Sequence, residues 1–339
     1  MKPIRLLLPA LVAAILFGVL FTRCQQTTTT ESSNNTDSIP LALQALNTAI
    51  ETHPDNPQGY IDRARWYSEQ NMADSALSDV RRALTLDSLQ PRFYIALADV
   101  YQLKGKFPEA EKALLKARAI NPDDNEAKVA HARFYLVFKN YDEAIKLADE
   151  AIRQMPVNPE AYFVAGVTFL EKGDTLAAIK NLMKTTTQNP QHFDAWLRLG
   201  LLYDGKQNDL AEGYLKNAIR IKPESQAAWY LTGFFYQENG VYQKAIAAYD
   251  TVLKLNPRFR DALYNKGYIA MIVEEDYEKA ISLFSQTLEI SPEYTNAMYN
   301  RGYAYELSGD KEKAVADYQA VLRIAPEHQK ANEAIRRLN

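Results

Sequence analysis

Residues 226–259 read QAAWYLTGFFYQENGVYQKAIAAYDTVLKLNPRF. Trp229, Thr232, Gly233 and Tyr236 stand at i, i+3, i+4 and i+7, which is one face of an α-helix. Gly240 follows, and glycine tolerates the left-handed backbone that ends many helices. A second helical stripe runs through Ala245, Tyr249 and Val252. Pro257 closes the stretch, because proline lacks an N–H and clashes with the preceding turn. The stretch predicts two helices joined by a tight turn.

The same pattern recurs outward in both directions. The helix-face positions hold Tyr94, Leu97, Ala98, Tyr101; then Tyr162, Ala165, Gly166, Phe169; then Trp196, Leu199, Gly200, Tyr203; then Met298, Arg301, Gly302, Tyr305. Turn glycines recur at Gly105, Gly173 and Gly309, and second stripes at Ala110, Leu114, Ala117 and at Ala314, Tyr318, Val321. Prolines fall at 54, 122, 156, 190, 223, 257, 292 and 326, with Ser88 in the one gap, so the steps are 33 to 35 residues. A fixed period of this length is the signature of a repeat architecture.

A helix pair in 34 residues, with an aromatic, Leu-Gly, Tyr, Ala, an aromatic, Ala and Pro at these offsets, resembles the tetratricopeptide repeat. The resemblance covers eight units: 57–90, 91–124, 125–158, 159–192, 193–225, 226–259, 260–294 and 295–328. Residues 41–56 form a half-repeat, and 329–339 a C-terminal cap helix. The implied fold is all-α, a right-handed α-solenoid superhelix of stacked hairpins over 41–339. Several units depart from the pattern. The first has Arg63 in the Leu position, the third has Lys128 and His131 in the aromatic and Leu positions, and the seventh has Leu263, Lys266, Ala270 and one extra residue. Looser packing is expected at these units.

The N-terminus is read as a targeting segment, 1–24. Lys2 and Arg5 precede an uncharged apolar run, Leu6 to Thr22. As a helix that run spans about 26 Å against a hydrocarbon core of about 30 Å. Cys24, the single cysteine, sits two residues beyond it. That resembles a bacterial lipoprotein signal, in which the cysteine is lipidated. Arg23 departs from the small residue wanted there, so an uncleaved signal anchor (a transmembrane helix) and simple secretion stay open. All three readings place the repeats outside the cytoplasm, on the periplasmic side of a bacterial envelope. Residues 25–40, QQTTTTESSNNTDSIP, read as a polar flexible tether.

Composition narrows the chemistry. The 339 residues carry 39 basic and 42 acidic side chains, a net charge of −3, which offers no basic surface for nucleic acid. One cysteine and four scattered histidines argue against an intramolecular disulfide or a metal cluster. Residues 200–207, GLLYDGKQ, approach a phosphate loop, but Gln207 stands where a hydroxyl is needed and Gly200 is already a helix residue. No catalytic, cofactor-binding or metal residue is assigned, and the chain is read as no enzyme.

The resemblance implies a groove lined by repeat positions five, six and nine of each first helix. Position five holds Ile61, Ile95, Val129, Phe163, Leu197, Tyr230, Tyr264 and Tyr299; position nine holds Arg65, Asp99, Arg133, Val167, Leu201, Phe234, Tyr268 and Tyr303. The expected partner-binding site is an exposed strip of Tyr230, Phe234, Tyr264, Tyr268, Tyr299 and Tyr303. Asn265 and Asn300 are expected to hold a peptide's termini, and Trp229 to be core; packing between repeats is the alternative reading of the strip's rings. The lysine and asparagine clamp of chaperone-binding members is absent. The expected function is a membrane-tethered scaffold for unidentified protein partners. The alternatives are a self-associating architectural module of an envelope complex or, less in keeping with the sequence, an enzyme with an unrecognised site.

Overall fold

The computed structural model describes residues 40–203 and 208–338. The targeting segment with Cys24, the tether up to residue 39, and residues 204–207 lie outside the described residues. The chain divides into two compact units, whose described parts are 40–195 and 196–338.

The described residues form eighteen α-helices and no strand. The first unit holds α1 (Leu41–Thr52), α2 (Pro57–Glu69), α3 (Ala73–Leu86), α4 (Pro91–Leu103), α5 (Phe107–Ile120), α6 (Asn125–Val137), α7 (Tyr141–Gln154), α8 (Pro159–Glu171) and α9 (Thr175–Gln188). The division falls in α10 (Phe193–Leu202). The second unit continues with α11 (Asn208–Ile221), α12 (Gln226–Glu238), α13 (Tyr242–Leu255), α14 (Arg260–Ile272), α15 (Tyr277–Ile290), α16 (Thr295–Ser308), α17 (Lys311–Ile324) and α18 (Gln329–Leu338). Within each unit, consecutive helices pack as antiparallel hairpins that stack on their neighbours.

Local chemistry sets the helix ends. Each second helix stops two residues before the repeating proline or, in one unit, Ser88. First helices begin on a side-chain cap in several repeats. Asn56 accepts from the N–H of Gln58, and Asp124, Asn158 and Ser225 accept from those of Ala127, Ala161 and Ala228. In two repeats a histidine takes that role: His192 Nδ1 accepts from the Ala195 N–H and His328 Nδ1 from that of Ala331, both at 3.2 Å. The turn inside the hairpin needs a positive φ, which Gly105, Gly173, Gly240 and Gly309 supply. In the three irregular repeats Asn71, Lys139 and Glu275 adopt it instead, at φ 59°, 58° and 54°.

The small residue of each first helix lets the second helix approach. A Cβ at Gly233 would lie 2.6 Å from the Tyr249 ring, and one at Gly200 2.6 Å from Leu215. Gly267 meets Phe284 and Gly302 meets Tyr318 in the same manner. Tyr249, Phe284 and Tyr318 are fully buried as a result.

The expected loose repeats are packed. Arg63, in place of Leu, donates to both Asp79 oxygens at 2.7 Å and to Asn47 at 2.9 Å. Arg301 repeats the device with Asp317, at 2.8 Å for both bonds. Lys266 pairs with Asp250. Lys128 donates to Gln154 at 2.5 Å and lies 3.8 Å from Asp123. Each polar substitution in an apolar position has gained a hydrogen-bonded partner, which is the condition for burying it.

His131 is the exception. It is fully buried and stacked on Tyr135 at 4.4 Å. Its Nδ1 lies 3.4 Å from the Arg118 guanidinium, and its Nε2 has no partner. Burial first, and the Arg118 charge second, push its pKa down to about 4, against a weaker opposing pull from Glu143. The unfolded chain therefore binds the proton more readily, and stability falls as pH drops from about 6.5 towards 4. The loss should reach about 2 kcal/mol by pH 5. His131→Leu should remove that share of the pH dependence. Urea titrations of both proteins at pH 7.5 and pH 5 measure it, and parallel losses in the two would refute it.

Candidate functional site

In the unit 196–338, position five is internal. Tyr230 is fully buried and Tyr264 is 7% exposed. Each position-five ring packs against an aromatic at the last position of its own repeat. Tyr230 lies 5.3 Å from Phe259, Tyr264 5.2 Å from Tyr294, and the half-buried Tyr299 5.2 Å from His328. In the unit 40–195, Phe163 and His192 make the same pair at 4.4 Å.

Position six joins successive hairpins. The Asn265 amide donates to the Tyr249 hydroxyl at 3.0 Å and to that of Tyr230 at 3.4 Å. The Tyr249 hydroxyl donates in turn to Gln237 at 3.0 Å. Asn300 donates to the Tyr264 hydroxyl, also at 3.0 Å. Burial raises the pKa of Tyr230, Tyr249 and Tyr264 further above the ordinary tyrosine value, so these hydroxyls stay protonated and able to donate.

The exposure expected of the strip is therefore corrected at four positions. Tyr230, Tyr264 and Asn265 are buried packing residues, and the Asn300 amide is committed to Tyr264. Phe234 is 6% exposed, in a slot with Gly200, Leu215 and Leu231. Four of the eight expected groove residues are thus covered: Phe234 sits in its own slot, Asn265 is bonded to buried hydroxyls, and the aromatic ending the repeat folds over Tyr230 and Tyr264. That aromatic was visible in the sequence at His192, Phe259, Tyr294 and His328. Trp229 is also corrected. It is half-buried rather than core, and its indole N–H donates to the Pro223 carbonyl at 2.8 Å.

Position nine behaves differently. Tyr268 on α14 and Tyr303 on α16 stay partly open while packing against the apolar core of the second unit. Neither hydroxyl bonds to a described residue. In the unit 40–195, position nine holds Arg65, Asp99 and Arg133, all exposed. A cavity of about 300 Å³ lies beside Arg65 and Asp99, with Ile61, Ala64, Val80 and Ile95 as its floor and Arg65, Arg92, Asp99 and Glu126 as its charged wall. Asp99 is reached by solvent but stands in a concave wall. Burial against that wall raises its pKa to about 6, opposed first by Arg133, with Glu126 adding to the rise and Arg65 opposing it. No group of three or more metal-ligating side chains occurs among the described residues.

The sequence pattern described as Tetratricopeptide repeat matches residues 61–125, 95–159, 129–185, 163–225, 235–294 and 295–328. The chain belongs to the tetratricopeptide-repeat family. Among curated proteins it is 23% identical over 244 residues to the human protein O-mannosyl-transferase TMTC3, covering 70% of this chain and 27% of that one. It is 23% identical over 248 residues to DnaJ homolog subfamily C member 3 of Gallus gallus, covering 64% and 48%. The chain thus spans half or less of those relatives' lengths. Among solved structures it is similar to the C-terminal part of a TPR repeat-containing protein from Cytophaga hutchinsonii, with TM-score 0.59, 20% identity, and 71% and 99% of the two chains covered. A tetratricopeptide repeat protein from Parabacteroides merdae gives TM-score 0.51 and 17% identity, with 73% and 98% covered. At these identities the likeness is one of fold. Tetratricopeptide-repeat arrays are protein-interaction scaffolds, and their fold is typically non-catalytic.

Proposed function

We propose that the chain is a membrane-tethered scaffold that holds protein partners against the first-helix face of its repeats, outside the cytoplasm of a bacterial cell. One observation carries the reading. Positions five and six are consumed by packing in the second unit, whereas position nine leaves Tyr268 and Tyr303 partly open there and Arg65, Asp99 and Arg133 exposed in the first. Aromatic and arginine side chains of this kind supply most interface hot spots. The array binds and presents partners and performs no chemistry of its own. The tether rests on the apolar run 6–22 and Cys24.

Two measurements test the proposal. Partners retained by crosslinking from membranes should be lost from a Tyr268→Ala, Tyr303→Ala double variant, with affinity falling about tenfold or more. Its folding should change little, because both rings are half open. Undiminished retention would place the partner surface elsewhere. Labelling with a palmitate analogue should mark the wild type and not Cys24→Ser. If Cys24→Ser stays membrane-bound and its mature N-terminus is still Met1, residues 6–22 are a signal anchor.

A further inference from the structure

The first three repeats present a row of charges that make no close ion pair with one another. Arg65 on α2, Asp99 on α4 and Arg133 on α6 occupy the same repeat position on successive first helices, with signs plus, minus, plus. Elsewhere the protein pairs charges tightly, as with Arg63 and Asp79 at 2.7 Å. Here no described cation lies within 4.0 Å of Asp99 or any carboxylate within 4.0 Å of Arg133, and Arg65 meets only Asp62, at 4.0 Å on its own helix. Arg92 and Glu126 extend the alternation along the wall of the 300 Å³ cavity, above an apolar floor. A nucleic acid is disfavoured because Asp99 and Glu126 would repel its phosphates.

Successive first helices touch, α2 with α4 and α4 with α6, which sets the scale of a complementary ligand. Neighbouring packed helices lie about 8–10 Å apart. An extended chain advances about 3.3 Å per residue, so its third residue is about 10 Å on. We propose that this face takes an extended segment of a partner protein with the pattern acidic–x–x–basic–x–x–acidic, the basic side chain meeting Asp99 and the acidic ones Arg65 and Arg133. The inference rests on the scaffold reading above and names the chemistry of one partner segment.

The test uses the full chain and a fluorescein-labelled, end-blocked heptapeptide. It has aspartate at its first and seventh positions, lysine at its fourth, and glycine or serine between. A control peptide of identical composition carries lysine first and aspartates fourth and seventh. At low ionic strength the first peptide should bind at least tenfold more tightly by fluorescence anisotropy. Asp99→Lys should abolish that preference, and the triple variant Arg65→Glu, Asp99→Lys, Arg133→Glu should instead prefer a peptide with all three charges inverted. All three positions are exposed, and circular dichroism checks that the variants fold. Equal binding of the two peptides, no binding of either at millimolar concentration, or a preference that survives Asp99→Lys overturns the inference. If it is overturned while membrane partners are still lost from the Tyr268→Ala, Tyr303→Ala variant, the scaffold reading stands and this segment alone is wrong.

Discussion

Replacing Tyr249 by alanine is expected to cost about 3–5 kcal/mol, the range for removing a large buried aromatic. Tyr249 is fully buried, and its ring fills the space left by Gly233 on the facing helix. Its hydroxyl also links three elements, accepting from Asn265 on α14 and donating to Gln237 on α12. Truncation leaves a cavity and two buried amides without their partner. Tyr249→Phe keeps the ring and should cost only about 1–2 kcal/mol, the share of the hydrogen bonds. Repeat proteins transmit such losses mainly to nearest neighbours. Hydrogen exchange should therefore show the opening concentrated in α12 to α14, while urea titration gives its size. A loss below about 1 kcal/mol for the alanine variant would mean that the hairpin does not depend on this ring.

Removing Asp79 should cost about 2–3 kcal/mol, because it strands a guanidinium that the fold has largely enclosed. Arg63 keeps 20% of its side-chain exposure and Asp79 8%, so solvent can relieve only part of the loss. The hydrogen bond to Asp79 is the main reason the Arg63 pKa is raised, ahead of the opposing burial. The informative comparison is Asp79→Ala alone against Asp79→Ala with Arg63→Leu. Leucine is the residue the repeat pattern puts at that position, and replacing a buried pair by apolar groups is often neutral. The double variant should recover to within about 1 kcal/mol of the wild type in urea titration. If the double variant is as unstable as the single one, the pair contributes through something other than the stranded charge.

The helix pairs were legible because period and amphipathic pattern agree at each unit, as with Trp229, Gly233, Gly240 and Tyr249. The site was less so. Tyr264–Asn265 and Tyr299–Asn300 read as a groove strip, since first-helix position alone does not tell what lies over a side chain. What covers them is the aromatic 29 or 30 residues later, at Phe259, Tyr294 and His328. That residue also recurs with the period, and reading it against position five would have moved Tyr230 and Tyr264 into the core. Arg63 suggested loose packing when read singly, and Arg301 occupies the same repeat position. Each has an aspartate sixteen residues on, Asp79 and Asp317, and that shared offset was present in the sequence. The unpaired state of Asp99 and Arg133 was not legible, because it depends on distances between separate helices.

The most direct test of the scaffold reading is site-specific photocrosslinking in intact cells. A photoreactive residue is placed at Asp99 or Tyr303 on the first-helix face, and at Lys116 or Lys184, exposed on second helices α5 and α9. The account predicts discrete protein adducts from Asp99 and Tyr303 and none from Lys116 or Lys184. Adducts confined to the second-helix positions, or none from any of the four, would contradict it.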